Sequence, residues 1–225
     1  MRFTPLTIIF MIILLFILGF FFLIIQIDVL ALVFERIGIP PRYIFIALLA
    51  SLVGSNFNIP LRRIPQENMT NERSVHYFGI TYVIPHPKGK ETTLAINVGG
   101  AIVPVLISAY LLFKTGLIFE SLLATVFLTI ITHRLAIPIR GAGIALPLFI
   151  SPFLAAVLSL VIDPDHAPII AYISGTLGTL IGADILNLKK IADLGAPVVS
   201  IGGAGTFDGI FLSGILAVML SAILI

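Results

Sequence analysis

No cysteine and no tryptophan occur in the 225 residues, and only 11% of them are charged. The missing cysteine excludes disulfides, thiolate metal sites and cysteine nucleophiles. Without tryptophan, interfacial anchoring falls to Tyr43, Tyr82, Tyr110 and Tyr172 and to lysine and arginine. The shortage of charge matters most. A soluble domain carries about 25% charged residues, whereas here 59% of residues are hydrophobic and mean hydropathy is +1.16. One aqueous core cannot hide so many apolar side chains, so the lipid bilayer is the expected solvent and partner. A net charge of +2 gives no basis for nucleic-acid binding. No resident metal or cofactor is expected.

Long apolar runs are what the chain does have. A spanning helix needs about 20 mostly apolar residues. Leu6–Ile27, Leu94–Phe113, Gly141–Ile162, Ala167–Leu188 and Thr206–Ile225 meet that length. Leu6–Ile27 is too long for a signal-peptide core and reads as a retained anchor. Leu117–Thr132 is short but clean. Tyr43–Phe57 turns polar in Gly54-Ser-Asn-Phe-Asn58 and reads as a span or a re-entrant segment. The expected fold is therefore all-α: one membrane domain over residues 1–225, a polytopic bundle of six or seven spans. Residues 59–93 stand out as a polar loop. Within it, "VHYFGITYVIP" and "ETTLAI" flank a Lys88-Gly89-Lys90 turn and suggest a small β-hairpin.

Lysine and arginine give the orientation. With seven spans, ten of them fall on one side and Arg36, Arg42 and Lys114 on the other. With six spans the division is eleven against two. Positive charge marks the cytoplasmic side. Both counts make the hairpin, the Arg134–Arg140 loop and the 189–205 loop cytoplasmic, in a multi-pass protein of the cell's inner membrane.

The unusual polar residues gather on that same side. They are Asn56 and Asn58, Asn97 with Gly99 and Gly100, His133 and Arg134, the Gly182–Asn187 stretch, and "GGAGTFDG" at the start of the last span. Unpaired polar groups in hydrocarbon cost several kcal/mol, so their clustering suggests a shared hydrated cavity. The plainer alternative is a set of ordinary helix ends. Ala171, Gly175, Gly178 and Gly182 form a small-residue stripe suited to close helix packing. Ile96–Leu112 and Val199–Leu216 share a faint Gly-Gly-Ala core and suggest a parallel internal repeat.

Two acids stand out. Asp184 lies near the end of the penultimate span and Asp208 in the first turn of the last. Consecutive antiparallel spans put them at similar depth. Two close carboxylates cannot both ionise cheaply; one keeps a proton while the other acts as a base toward water. The same pair can instead bind a small cation or proton and drive transport, with Asn56, Asn58 and Asn97 as further ligands. A third reading is a scaffold, with Asp208 balancing its helix N-terminus and Asp184 paired to Lys189 or Lys190. Gly202, Gly203 and Gly205 would admit an extended peptide or an ion to the main chain. The run has Asp208 where a dinucleotide fingerprint needs its third glycine. Asp163, Asp165 and His166 form a turn whose plainer reading is a solvated loop.

The blocks "AINVGGAIVP", "AYISGTLGTLIGADILNL" and "SIGGAGTFDGIF" resemble an uncharacterised prokaryotic integral-membrane family, the domain of unknown function numbered sixteen-fourteen. That resemblance runs from about Asn56 onward and implies a multi-span membrane protein with no assigned activity. More loosely, the chain resembles intramembrane aspartyl proteases of the presenilin and signal-peptide-peptidase type. Those place catalytic aspartates at the cytoplasmic ends of consecutive helices, the second in Gly-x-Gly-Asp. Here Gly203-Ala-Gly205 is followed by Thr206 and Phe207 before Asp208, Ala183 stands where Tyr precedes the first acid, and Ala145-Leu-Pro147 is a reversed Pro-Ala-Leu. The resemblance implies catalytic roles for Asp184 and Asp208 and a membrane peptide as substrate.

Overall fold

A computed structural model describes residues 35–65, 74–77, 80–83, 91–139, 143–194, 196–203 and 209–224. The expected anchor Leu6–Ile27, the Lys-Gly-Lys turn, Gly205 and Asp208 lie outside the described residues. Six α-helices run through these residues: α1 Pro41–Gly54, α2 Val103–Thr115, α3 Ile118–Leu135, α4 Ile150–Ile162, α5 Ala167–Thr179 and α6 Gly209–Leu224. Proline stands in the first turn of α1, α2 and α5, where its missing N–H costs nothing. Gly116 closes α2 at φ 72°, the left-handed cap that a side chain resists. Hydroxyls inside the helices bond to their own backbone: Ser108 to Pro104 O, Thr125 to Ser121 O and Thr132 to Leu128 O. No buried polar group of these three is left to hydrocarbon.

Three helical stretches are long and apolar enough to cross a membrane: Val98–Thr115, Ile118–Leu135 and Ala167–Lys190. The central helix is α5. Almost every one of its residues is buried, as befits a helix that is apolar or small all round. The outer face of α3 carries exposed Phe119, Leu122, Val126 and Ile130, a row suited to lipid. The small-residue stripe packs as expected. A Cβ on Gly178 would lie 2.9 Å from Leu128 Cβ, and one on Gly182 would lie 1.9 Å from Thr132 Oγ1. Gly175 faces the other way, toward Ser213 O and Ala155. The stripe thus joins α5 to α3 on one side and to α4 and α6 on the other.

The expectation of an all-α chain is corrected: the bundle is mostly helical but carries small sheets. Strands β1 Asn58–Pro65, β4 Glu91–Asn97 and β7 Val198–Ile201 form one sheet in the order β1-β4-β7. Strands β2 Ser74–Tyr77 and β3 Ile80–Val83 pair with each other, as do β5 Ile137–Ile139 and β6 Gly143–Ala145. The hairpin is therefore tighter than expected. Its two strands both come from "VHYFGITYV", and "ETTLAI" goes elsewhere. The reason lies in β4 itself, whose residues are shielded on both faces. Such a strand belongs at the centre of a sheet, not in a solvated hairpin. It runs antiparallel to β1, with Asn58 opposite Asn97, and parallel to β7, with Ile96 opposite Ile201.

Two expected spans also begin later than their hydropathy suggests. Leu94–Asn97 is strand, and the helix starts only at Val98. Gly143–Ala145 pairs in the β5–β6 hairpin, so α4 keeps just 13 residues. Backbone that leaves a helix at a membrane boundary must find other partners. Here the strands supply them.

Two helix ends are wound as π-turns: Val98–Ile102 before α2 and Leu180–Asp184 after α5. A 3-10 stretch, Ile185–Leu194, continues from the second. All these irregular segments sit at the sheet end of the bundle, as the gathering of polar residues in the sequence suggested.

Candidate functional site

Gly202 is the meeting point. It follows β7 at φ 81°, and Gly203 continues at φ 85°. Both values belong to the left-handed region that favours glycine. A Cβ on Gly202 would lie 2.6 Å from Ala101 N and 2.7 Å from Gly100 C, so this glycine packs directly on the first π-turn. On its other side, the Gly202 N–H donates to Asp184 Oδ2 at 2.8 Å. Asp184 is the last residue of the second π-turn. Gly202 is therefore gripped between the two π-turns, and the partly buried Asp184 carboxylate sits at the mouth of the glycine-rich run.

The ends of that run return to one place. Ile201 before it and Ile210 after it share a buried cluster with Leu180 and Ala101. Leu180 opens the π-turn that Asp184 closes.

A second polar knot lies beside the first. The Asn97 side chain accepts the Gly100 N–H at 2.7 Å, capping the first π-turn. Its amide donates to Ser55 O at 2.7 Å and to Asn58 Oδ1 at 3.0 Å. The Ser200 hydroxyl, next door on β7, donates to the same Asn58 oxygen at 2.6 Å. Asn97 and Asn58 thus come together as expected, but they spend their polar atoms on each other and on the backbone. Asn56 does not join them. It is exposed, and its amide turns back to Leu52 O and Val53 O at the end of α1.

Asn187 is the residue to which the sequence assigned no role. It is fully buried and donates to Gly182 O at 3.1 Å and to Ala183 O at 2.9 Å. A π-turn frees carbonyls from the helical ladder, and this amide takes them. Lys190 donates to Asn187 Oδ1 at 2.8 Å, and His133 Nδ1 lies 3.3 Å from both Gly182 O and Asn187 Nδ2. An amide one turn beyond a glycine at a helix end was the available signal. Lys190 is thereby tied to Asn187 rather than to Asp184.

Near the ends of three helices, Ser151, Thr179 and Ser213 form a closed ring of hydroxyls from α4, α5 and α6. Thr179 lies 3.2 Å and Ser151 3.1 Å from Ser213, and Ser151 also bonds Thr179. All three are buried. Unlike the other helical hydroxyls described above, they bond to one another rather than to the helix backbone.

At the far end, Asp163 Oδ2 lies 2.9 Å from His166 Nδ1, and the His166 N–H also reaches Asp163. The side-chain hydrogen bond from His166 holds this carboxyl below its ordinary range. Asp165 is not part of the pair, and among the described residues no group of three or more acidic or histidine side chains is arranged to hold a metal.

Three apolar helical stretches of spanning length, in a mostly helical bundle, are compatible with a membrane protein. The chain belongs to a named family: residues 52–220 match the family described as "Protein of unknown function (DUF1614)". No curated protein and no solved structure matches it.

Proposed function

We propose that the protein is an integral-membrane hydrolase in which Asp184 and Asp208 act together on a peptide bond. The observation that carries this reading is the Gly202 N–H bond to Asp184. It ties one carboxylate to the first residue of the run that leads to the other. In the proposed reaction, ionised Asp184 takes a proton from water while protonated Asp208 gives one to the substrate carbonyl. The resulting tetrahedral diol collapses as a proton passes to the leaving amine. In this reading the side-chain-poor sequence from Gly203 to Gly205 takes an extended membrane peptide, while Gly202, packed on Ala101, holds Asp184 in place. The sheet end, with its exposed Arg62, Arg63, Arg134, Lys189 and Lys190, faces the cytoplasm in this reading.

The test is cleavage of model membrane peptides by purified protein in nanodiscs. Wild type should cut, and Asp184→Asn and Asp208→Asn should each lose roughly 10²–10⁴-fold in rate. Cleavage that survives both substitutions, or no cleavage of any peptide by wild type, would end the reading.

Coupled transport of a small cation or proton is supported by a different observation, the buried ring of Ser151, Thr179 and Ser213. Its hydroxyls hold one another where α4 begins, α5 ends and α6 makes its second turn. Flux of sodium or protons into proteoliposomes that Thr179→Val abolishes would favour this second reading over the first.

A further inference from the structure

We infer that strand β1 is a lipid-binding edge, holding the headgroup phosphate of an anionic phospholipid at Arg62 and Arg63. Tyr43, Ile46, Leu49 and Val53 recur at three- and four-residue steps and form one exposed apolar face of α1. In a spanning chain that face meets acyl chains. The face does not stop where the helix does. Phe57, Ile59 and Leu61 carry it onto β1, and they are 60%, 46% and 55% exposed.

Asn58, between the first two, turns inward to Asn97 and Ser200, which fixes Phe57 and Ile59 at the mouth of the bundle. Leu61 is the extra residue of a β-bulge: Pro60 pairs with Ala95 and Arg62 with Leu94, so Leu61 has no opposite number. A bulge bends a strand and re-aims its side chains. Here it adds a third large apolar group to the outer surface, where water would otherwise have to cover it.

Charge follows directly. Arg62 and Arg63 are both exposed, and the one ionic contact described for them is Arg63 with Glu91 at 4.0 Å, between exposed groups. A strand rises about 3.3 Å per residue, so Arg62 lies at most about 13 Å beyond Asn58. A tilted strand and a snorkelling arginine bring the guanidinium into the headgroup layer. Apolar side chains at the hydrocarbon boundary with two adjacent arginines just outside it match a phospholipid with a negative headgroup. A second copy of the chain fits less well. A two-fold contact through this edge would bring each Arg62–Arg63 pair toward its twin.

The absence of cysteine makes the test direct, since a single Leu61→Cys variant takes a nitroxide with no competing thiol. In nanodiscs containing phosphatidylglycerol, the label should relax more with oxygen than with a water-soluble nickel chelate. Native mass spectrometry should show phosphatidylglycerol retained over phosphatidylcholine, with retention falling about five-fold for each arginine replaced in Arg62→Gln and Arg63→Gln. A Leu61 label open to the nickel chelate would place the strand in water and overturn the inference. So would a label shielded from both reagents, which would mean that protein covers the edge. Retention unchanged in the double glutamine variant would remove the headgroup site.

Discussion

Two parts of the chain repeat one plan and finish it differently. In the first, β4 leads through Gly99 and Gly100 into α2; in the second, β7 leads through Gly202 and Gly203 toward α6. The two strands lie side by side and parallel. In the first unit the polar group at the glycines is Asn97, from the strand's own end. It closes its own helix and ties down Ser55 and Asn58. In the second, the group is Asp184, brought in from another helix, and it is ionisable. The first unit is a lock with its hydrogen bonds used up. The second carries a carboxylate at an equivalent turn, which is why the proposed chemistry belongs there.

The sharpest way to break the comparison is at the glycines. A Cβ on Gly99 would lie 1.9 Å from Ser51 O, so Gly99→Ala should cost at least about 3 kcal/mol and leave little folded protein in detergent. Gly202→Ala combines a left-handed φ with a backbone clash and should cost about 2–5 kcal/mol, read as a fall in thermal midpoint. If the two substitutions were harmless, neither turn would be as closely packed as described.

Next come the polar groups. Asn97→Ala removes a cap, takes the side-chain donor from Ser55 O and leaves Asn58 Oδ1 only the Ser200 hydroxyl, a loss of about 2–4 kcal/mol. Asn97→Asp keeps the acceptor for Gly100 but aims an oxygen at two other oxygens, and should be at least as damaging. Asp184→Asn should behave oppositely. The amide oxygen still accepts the Gly202 N–H, so stability should move by no more than about 1 kcal/mol while peptide cleavage is lost. Equal stability losses in the Asn97 and Asp184 variants would erase the distinction between lock and reactive site.

The smallest effect lies at the far end. The His166 hydrogen bond depresses the Asp163 pKa in the folded state. That contribution is present above the unfolded value, near 3.8, and is lost as pH falls through the lower folded value. Asp163→Asn should therefore flatten the acid limb of the stability profile below about pH 4 and leave the neutral region nearly unchanged. The His166 partner is exposed, so solvent screening keeps the change slight.

Local chemistry in the sequence foretold much of this. The stripe of Ala171, Gly175, Gly178 and Gly182 was legible because small residues at helical spacing have one use in lipid. The common end of Asn58, Asn97, Asp184 and Gly202 was legible because their runs alternate in direction. Pairing over long distances was not. Nothing near "ETTLAI" says that it lies between residues 58–65 and 198–201, since strand partners are chosen by shape and burial far along the chain. The π-turns were nearly silent, with only the Asn187 amide, one turn beyond Gly182, to mark the second. Their signal is a carbonyl without a helical partner, and only the fold shows that Asn187 supplies one.

The position of β4 also sets an order of events during synthesis. Its first partner, β1, leaves the ribosome before it. Its second, β7, emerges only after α2, α3, α4 and α5 have all been made. Until then the middle strand has one bare flank, and Gly100 and Ala101 lack the glycine that seals them. The strand that precedes α6 thus finishes a sheet begun more than a hundred residues earlier, before α2. A chain halted before residue 198 would expose that flank to any other extended segment within reach.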